Sequence, residues 1–167
     1  MKNEVVLTSK DSTMTYACLG AVLVLALFLR LYGIDWGLPS EAHPQYSYHP
    51  DEAPTLVWAR WLVNGEIIPK HFAYGGTFFY TILNAFVYFG NLFSEFLGGA
   101  NLLADSILAG RYFLTAMALV TILLIYEIGR ELYSERTGIL AALFLAISPA
   151  HIVWAQRIRV DEIAALI

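Results

Sequence analysis

The stretch STMTYACLGAVLVLALFLR, residues 12–30, decides the class of fold. It carries no charge before its last residue, Arg30, and its apolar core, residues 14–29, follows Lys2 and Lys10. A helix of this length crosses a hydrocarbon layer about 30 Å thick. The run is longer than the roughly 7 to 15 apolar residues of a cleaved signal peptide, and no small-residue cleavage site follows it before Arg30. The sequence therefore predicts a transmembrane helix, with a signal peptide as the less favoured alternative.

Three later stretches are also apolar, at residues 72–93, 112–126 and 137–156. Each reaches or approaches the roughly 17 to 25 residues that a spanning helix needs. The pattern predicts an all-α, polytopic membrane protein. Because the chain stops at Ile167 inside another apolar run, we also expect it to be a piece of a longer protein.

The composition agrees with this class and excludes others. Hydrophobic residues make up 58% of the 167 residues and charged residues only 14%, whereas about a quarter of a typical soluble domain is charged. The formal net charge is −4 and the basic residues are scattered, so we expect no nucleic-acid partner. Cys18 is the single cysteine, which excludes a disulfide within the chain and a cysteine metal site.

Residues 35–70 differ from the rest of the chain and divide it into three parts. They hold five of the six prolines and three of the four tryptophans, among them Trp58 and Trp61. Proline suppresses regular structure, and tryptophan favours the boundary between membrane and water. We therefore expect a tail and first helix (residues 1–34), a structured extracytoplasmic loop with short interfacial helices (35–70), and further membrane helices (71–167).

The charges flanking the helices fix only part of the topology. The basic N-terminal tail predicts a cytoplasmic N-terminus, which puts the loop of residues 35–70 outside. If all four apolar stretches cross, residues 129–136 lie outside and residues 157–159 inside. If residues 72–93 only dip into the membrane, both assignments reverse, and the number of basic residues leaves the two alternatives open.

The densest cluster of reactive side chains is Tyr48-His49-Pro50-Asp51-Glu52, in the middle of this loop. Two carboxylates beside a histidine at the membrane edge could supply a general base for a hydroxyl acceptor. The alternative interpretation is that the acidic pair only starts a short helix at Ala53, where negative charge favours the helix dipole.

A second cluster, residues 157–162, follows the stretch Ser148-Pro149-Ala150-His151. It contains Arg157, Arg159 and Asp161. Charges this close to the apolar phase need water, a partner or a cavity, which makes them candidates for function. The alternative is a basic membrane boundary with local pairing.

These features occur in an order that resembles a known family. One membrane helix ends Leu29-Arg30-Leu31-Tyr32-Gly33, the loop carries His49-Pro50-Asp51-Glu52, and His71-Phe72-Ala73-Tyr74-Gly75-Gly76 follows. Gly110-Arg111, Gly129-Arg130 and Ser148-Pro149-Ala150-His151 with Asp161 come later. From about Tyr16 to Ile167 the chain resembles the N-terminal part of a family 39 glycosyltransferase, the polytopic group of dolichyl-phosphate-mannose protein mannosyltransferases and lipid A aminoarabinose transferases.

The resemblance implies an inverting enzyme of the GT-C fold that transfers a sugar from a polyprenyl-phosphate donor. The acceptor, a protein, lipid or glycan, would be used on the extracytoplasmic face, most naturally of a prokaryotic plasma membrane. Asp51 and Glu52 match the family's acidic pair, of which the first residue serves as acceptor base, and Asp161 matches a later acidic position. If Asp51 and Asp161 face one site, an even number of membrane crossings separates them.

Such a reaction also needs a cation to hold the departing phosphate. Arg111, Lys70 and Arg159 are the candidates for this role, and with His49 they complete the predicted substrate-binding set. The resemblance is to a metal-independent group, so we expect no metal and no cofactor. The piece alone is expected to be inactive. The alternative function is a small non-catalytic membrane protein whose aromatic loop binds a partner through Trp58 and Trp61.

Overall fold

The computed structural model describes residues 9–43, 47, 49–56, 76–98 and 102–159. These residues form helices and no strand. The helices are α1 (Ser9–Leu31), α2 (Gly76–Phe96), α3 (Leu102–Leu132), α4 (Glu135–Ala146) and α5 (Pro149–Ala155). A shorter helical segment covers residues 52–56. This segment lies in the loop that was expected to carry short interfacial helices, and residues 57–75 lie outside the described residues.

Helix α1 contains the predicted transmembrane stretch and ends where the sequence changes. Gly33 has a φ of +73°, a left-handed conformation that glycine adopts without steric cost and that commonly terminates helices. The chain then turns twice, with hydrogen bonds from Ile34 N–H to the Leu31 carbonyl and from Trp36 N–H to the Gly33 carbonyl. These turns direct the chain from the helix end into the loop.

Helix α2 packs antiparallel against the first half of α3. Residues in contact have decreasing numbers along α2 and increasing numbers along α3. In the order of α3, the pairs are Ser94 with Asp105 (2.7 Å), Asn91 with Ser106, Gly90 with Ala109, and Phe86 with Phe113 (ring centroids 4.6 Å apart). Helix α3 has 31 residues, about 46 Å at 1.5 Å per residue. Its first turns extend beyond the end of α1, because Arg111 bonds the carbonyls of Ile34 and Trp36, just after that end.

Helices α4 and α5 correspond to the third later apolar stretch, but they are two helices with a 63° bend between them. Pro149 is in the first turn of α5. Proline has no N–H to donate and its ring clashes with the carbonyl four residues earlier, so one continuous helix cannot pass through this position. Ser134 begins α4 as its N-cap, accepting a hydrogen bond from Thr137 N–H.

Two apolar clusters hold the helices together. One joins α2 and α3 to the loop and to the segment after α5, and contains Leu56, Phe79, Leu83, Phe113 and Ile158 among others. The second joins α1, α3 and α4, with residues such as Val22, Ala26, Ile122, Tyr126 and Ala142. Many other large apolar side chains of α1 and α2, among them Val24, Phe28, Phe89 and Phe93, are exposed on the helix surfaces, as expected where lipid is the solvent.

Among the described residues, Thr13–Leu31 and Leu103–Leu132 are long and apolar enough to cross a membrane, and α4 with α5 would make a third span. The prediction of an all-α polytopic membrane module is therefore confirmed. We call the end of the bundle with Ile34, Glu52 and Arg111 the loop end. The opposite end is where the Thr15 hydroxyl donates to the Glu135 carboxylate over 2.7 Å.

The contacts decide which basic segments share an end. Residue 135, which begins α4, lies at the opposite end, because it contacts the first turns of α1. Ile158, after α5, lies at the loop end, where its N–H reaches the Glu52 carboxylate. Residues 129–136 and 157–159 are thus at different ends, and the latter share the loop end with Glu52.

Candidate functional site

Asp51 and Glu52 stand at the start of the helical segment of residues 52–56. The Asp51 carbonyl accepts hydrogen bonds from Thr55 N–H (3.1 Å) and from the Thr55 hydroxyl (2.7 Å). Asp51 is exposed, whereas Glu52 is completely buried. The first turn of this helix therefore points one carboxylate outwards and its neighbour into the protein.

The buried carboxylate of Glu52 forms a two-point ion pair with Arg111. Arg111 Nε donates to Glu52 Oε1 over 2.9 Å and Arg111 Nη2 donates to Oε2 over 2.8 Å. Oε1 also accepts the N–H of Ile158 over 3.2 Å. A planar guanidinium matches both oxygens of a carboxylate, which fixes orientation as well as distance. Glu52 is thereby held by α3 and by the segment after α5.

Arg111 also ties the loop to the end of α1. Its Nη1 donates to the carbonyls of Ile34 (2.6 Å) and Trp36 (2.8 Å). These bonds and the pair with Glu52 use four of the five N–H groups of a guanidinium. Gly110, next to it, leaves room for Ile158, because a Cβ at this position would lie 2.5 Å from the Ile158 side chain.

His49 lies beside Asp51 on the outer side of the cluster. His49 Nδ1 accepts the N–H of Asp51 over 3.4 Å, and the His49 carbonyl accepts the Ser47 hydroxyl over 2.8 Å. Partial burial lowers the pKa of His49 from its ordinary value, and the positive charges of Arg157 and Arg159 act in the same direction. The carboxylates of Glu52 and Asp51 oppose this shift.

Two side chains that the sequence did not single out as functional connect α1 with α4 and α5. Arg30, fully buried, donates to the carbonyls of Ala146 (3.0 Å) and Leu145 (3.5 Å) at the end of α4 and bonds Nδ1 of His151. In return, Gln156 donates to carbonyls at the end of α1. Arg30 and Gln156 each donate to carbonyls at a helix end, where the helix itself supplies no partner.

The signal for Arg30 was present in the sequence, as a charge at the end of an apolar run. By itself, that charge indicates only where the apolar run ends. Nothing in the local sequence around Gln156 indicates a bond to carbonyls more than 120 residues away.

The structure brings together most of the predicted site residues at the loop end. They are His49, Asp51, Glu52, Arg111 and Arg159. Lys70 and Asp161 lie outside the described residues, as do Trp58 and Trp61.

A bundle of apolar helices with a charged cluster at one end defines an integral membrane protein. Residues 96–167 match the dolichyl-phosphate-mannose-protein mannosyltransferase family. For residues 96–167 this match confirms the family resemblance expected from the sequence. The matched part contains α3, α4, α5 and Arg111, while residues 49–52 precede it. No curated protein and no solved structure matches the chain.

Proposed function

We propose that the chain is the N-terminal part of a membrane glycosyltransferase that moves a sugar from a polyprenyl-phosphate donor to an extracytoplasmic acceptor. Asp51 is the general base in this proposal. The observation that carries it is the contrast within the acidic pair. Asp51 is exposed, while the adjacent Glu52 is fixed by Arg111 and Ile158.

The chemistry requires a carboxylate that can reach an acceptor hydroxyl. Asp51 takes the hydroxyl proton while the acceptor oxygen attacks the anomeric carbon of the sugar. The bond from that carbon to the phosphate oxygen breaks, and polyprenyl phosphate leaves with its electron pair. A single displacement of this kind inverts the configuration at the anomeric carbon.

The leaving phosphate gains negative charge, which cations at the loop end would stabilise. Ile158, which lies between Arg157 and Arg159, bonds Glu52, and the charges of both arginines act on His49. These observations support the two arginines for this role. Arg111 instead gives four N–H groups to Glu52 and to backbone carbonyls. We therefore assign Arg111 and Glu52 to positioning Asp51, and Arg159 with Arg157 to the phosphate. Lys70 and Asp161 remain predicted members of the site.

The loop end is proposed to face the extracytoplasmic side of a plasma membrane, because the basic residues Lys2 and Lys10 favour a cytoplasmic N-terminus. A lipid-linked donor has its phosphate at the membrane surface. A site at the end of the membrane helices is therefore at the depth where that phosphate lies.

The test is sugar transfer from radiolabelled polyprenyl-phosphate mannose by the full-length protein in its native membrane. We expect Asp51→Asn to lower the rate by about 10²- to 10⁴-fold, the usual worth of a general base, without a change in the amount inserted. Asp35→Asn is the matched control, since Asp35 is also an exposed acid of this loop. Transfer by Asp51→Asn at the wild-type rate would contradict the proposal.

A further inference from the structure

Gln156 forms an unusual set of contacts for a residue that directly follows a short helix. Its side-chain Nε2 lies 2.8 Å from the Tyr32 carbonyl oxygen, 3.0 Å from that of Arg30 and 3.4 Å from that of Leu29. Carbonyls in the last turn of a helix lack partners within the helix. One amide group of Gln156 thus caps the end of α1 from outside the helix.

The segment after α5 is also attached at Ile158, two residues beyond Gln156. The Ile158 N–H donates to Glu52 Oε1 over 3.2 Å, and the Ile158 side chain is fully buried. Arg157 lies between these two attachments and Arg159 directly follows them. Because one residue spans at most about 3.6 Å of chain, the place of Gln156 limits where Arg157 and, through Ile158, Arg159 can lie.

We propose that Gln156 is a positioning residue that sets Arg157 and Arg159 against the loop of His49 and Asp51 by bonding the end of α1. This inference rests on the proposed function for its effect on activity, but the placement of the segment itself can be measured without any reaction. The side-chain hydrogen bonds of Gln156 go to the end of α1 and not to the acidic pair or Arg111, so Gln156 acts on the site through the backbone.

Two substitutions separate positioning from general destabilisation. Gln156→Leu removes both N–H donors at every pH. Gln156→Glu has the same shape, but an ionised carboxylate would face the three carbonyl oxygens, while the protonated acid can donate one hydrogen bond to them. A positioning role therefore predicts that Gln156→Glu, compared at each pH with the protein that keeps Gln156, is impaired at high pH and recovers as the pH falls, whereas Gln156→Leu does not recover.

The first readout is the alkylation rate of a cysteine introduced by Arg157→Cys in the full-length protein, with Cys18→Ala and every other native cysteine replaced. We expect Gln156→Leu to raise this rate several-fold. Asn91→Leu is the matched control. It also replaces a hydrogen-bonded amide, but one that pairs with Ser106 between α2 and α3, and it should leave the rate unchanged.

The second readout is steady-state transfer with Arg157 in place. Gln156→Leu is expected to raise KM for the polyprenyl-phosphate sugar about tenfold and to leave kcat near the wild-type value, since phosphate contacts and not the base are displaced. Asp51→Asn should instead lower kcat.

The two readouts distinguish failure of the positioning inference from failure of the proposed function. If Gln156→Leu raises the alkylation rate but the protein transfers no sugar, the positioning role of Gln156 stands and the proposed function is overturned. Wild-type alkylation and wild-type donor KM in both Gln156 variants would overturn the positioning role. A defect in Gln156→Glu that reverses at low pH excludes misfolding as its cause.

Discussion

Asp51 and Glu52 are neighbours in the chain, but their carboxylates have opposite surroundings. The pair and its possible chemistry could be predicted from sequence, because two acids next to a histidine and two prolines are visible in it. Which acid is buried could not, since that depends on Arg111, 59 residues away. Burial of Glu52 leaves Asp51 as the exposed member of the pair, the one to which the proposed mechanism assigns the role of base.

The ion pair between Glu52 and Arg111 should be costly to break from one side. The side chains are 0% and 4% exposed, so Arg111→Met leaves the Glu52 charge buried without its guanidinium. We expect a loss of about 3–5 kcal/mol in the free energy of unfolding, measured by denaturation in detergent. Replacing both partners, Arg111→Met with Glu52→Gln, should cost less than the sum of the single losses.

Arg130→Met is the control for this prediction. Arg130 pairs with Glu127 over 2.7 Å, but the two side chains are 34% and 47% exposed. Pairs at such exposure contribute little, because water and salt screen them, so Arg130→Met should cost much less than Arg111→Met. Equal losses in the free energy of unfolding from Arg111→Met and Arg130→Met would contradict the expectation that burial makes the Glu52–Arg111 pair costly to break.

His49 should make both the stability of the protein and its sugar transfer sensitive to acid. Because the pKa of folded His49 lies below its ordinary value of 6.5, its contribution to stability is complete above pH 6.5 and is lost as the pH falls through the lowered pKa. Protonation also removes Nδ1 as the acceptor for the Asp51 N–H. We therefore expect wild-type transfer to decline below pH 6.5.

His49→Asn tests this directly, because an asparagine oxygen can accept at the position of Nδ1 and does not titrate in this range. The ratio of kcat/KM for His49→Asn to that of the wild type should rise as the pH is lowered from about 8 to 5. A ratio that stays constant across this range would assign the acid decline to another group.

At the scale of the helices, α3 and α4 cross at two glycines. A Cβ at Gly138 would lie 2.5 Å from the Tyr126 carbonyl oxygen and 3.0 Å from the backbone nitrogen of Arg130. A Cβ at Gly129 would lie 2.8 Å from the Cα of Gly138. Backbone atoms cannot yield as a flexible side chain can. Small residues at this crossing therefore permit the close approach of the two helices.

We predict that Gly138→Ala destabilises the protein by about 1–3 kcal/mol through this overpacking, measured as a lower midpoint of thermal unfolding in detergent. Gly20→Ala is the control, because Gly20 is in α1 and a Cβ there meets nothing within 4 Å. It should be neutral or stabilising by up to about 1 kcal/mol. Destabilisation by Gly20→Ala as large as that by Gly138→Ala would refute the steric explanation.

Hydrophobic length predicted the existence of the helices better than their shapes. Residues 137–156 form one apolar stretch in the sequence, yet they contain the 63° bend between α4 and α5. Pro149 is a local signal for the break, but the direction of the bend depends on partners elsewhere. Arg30 supplies them, by bonding the last carbonyls of α4 and His151 of α5.

At the scale of the whole molecule, basic residues could not fix the topology, because similar numbers flank both ends. Tertiary contacts supply the missing information. Glu135 meets Thr15 near the start of α1, and Ile158 meets Glu52 at the loop end. Helix α2 runs beside only the first half of α3. Residues 157–159 therefore share an end with the acidic pair, as a common site requires.

The most direct test of the account is the membrane face from which single cysteines react with an impermeant reagent, in the full-length protein with Cys18→Ala and every other native cysteine replaced. We predict that cysteines introduced by Asp51→Cys and Arg157→Cys react from the same, extracytoplasmic face. A cysteine introduced by Arg136→Cys, at the start of α4, should react from the other face. If the positions of Arg157 and Arg136 instead react together, opposite to that of Asp51, the common site at the loop end does not exist.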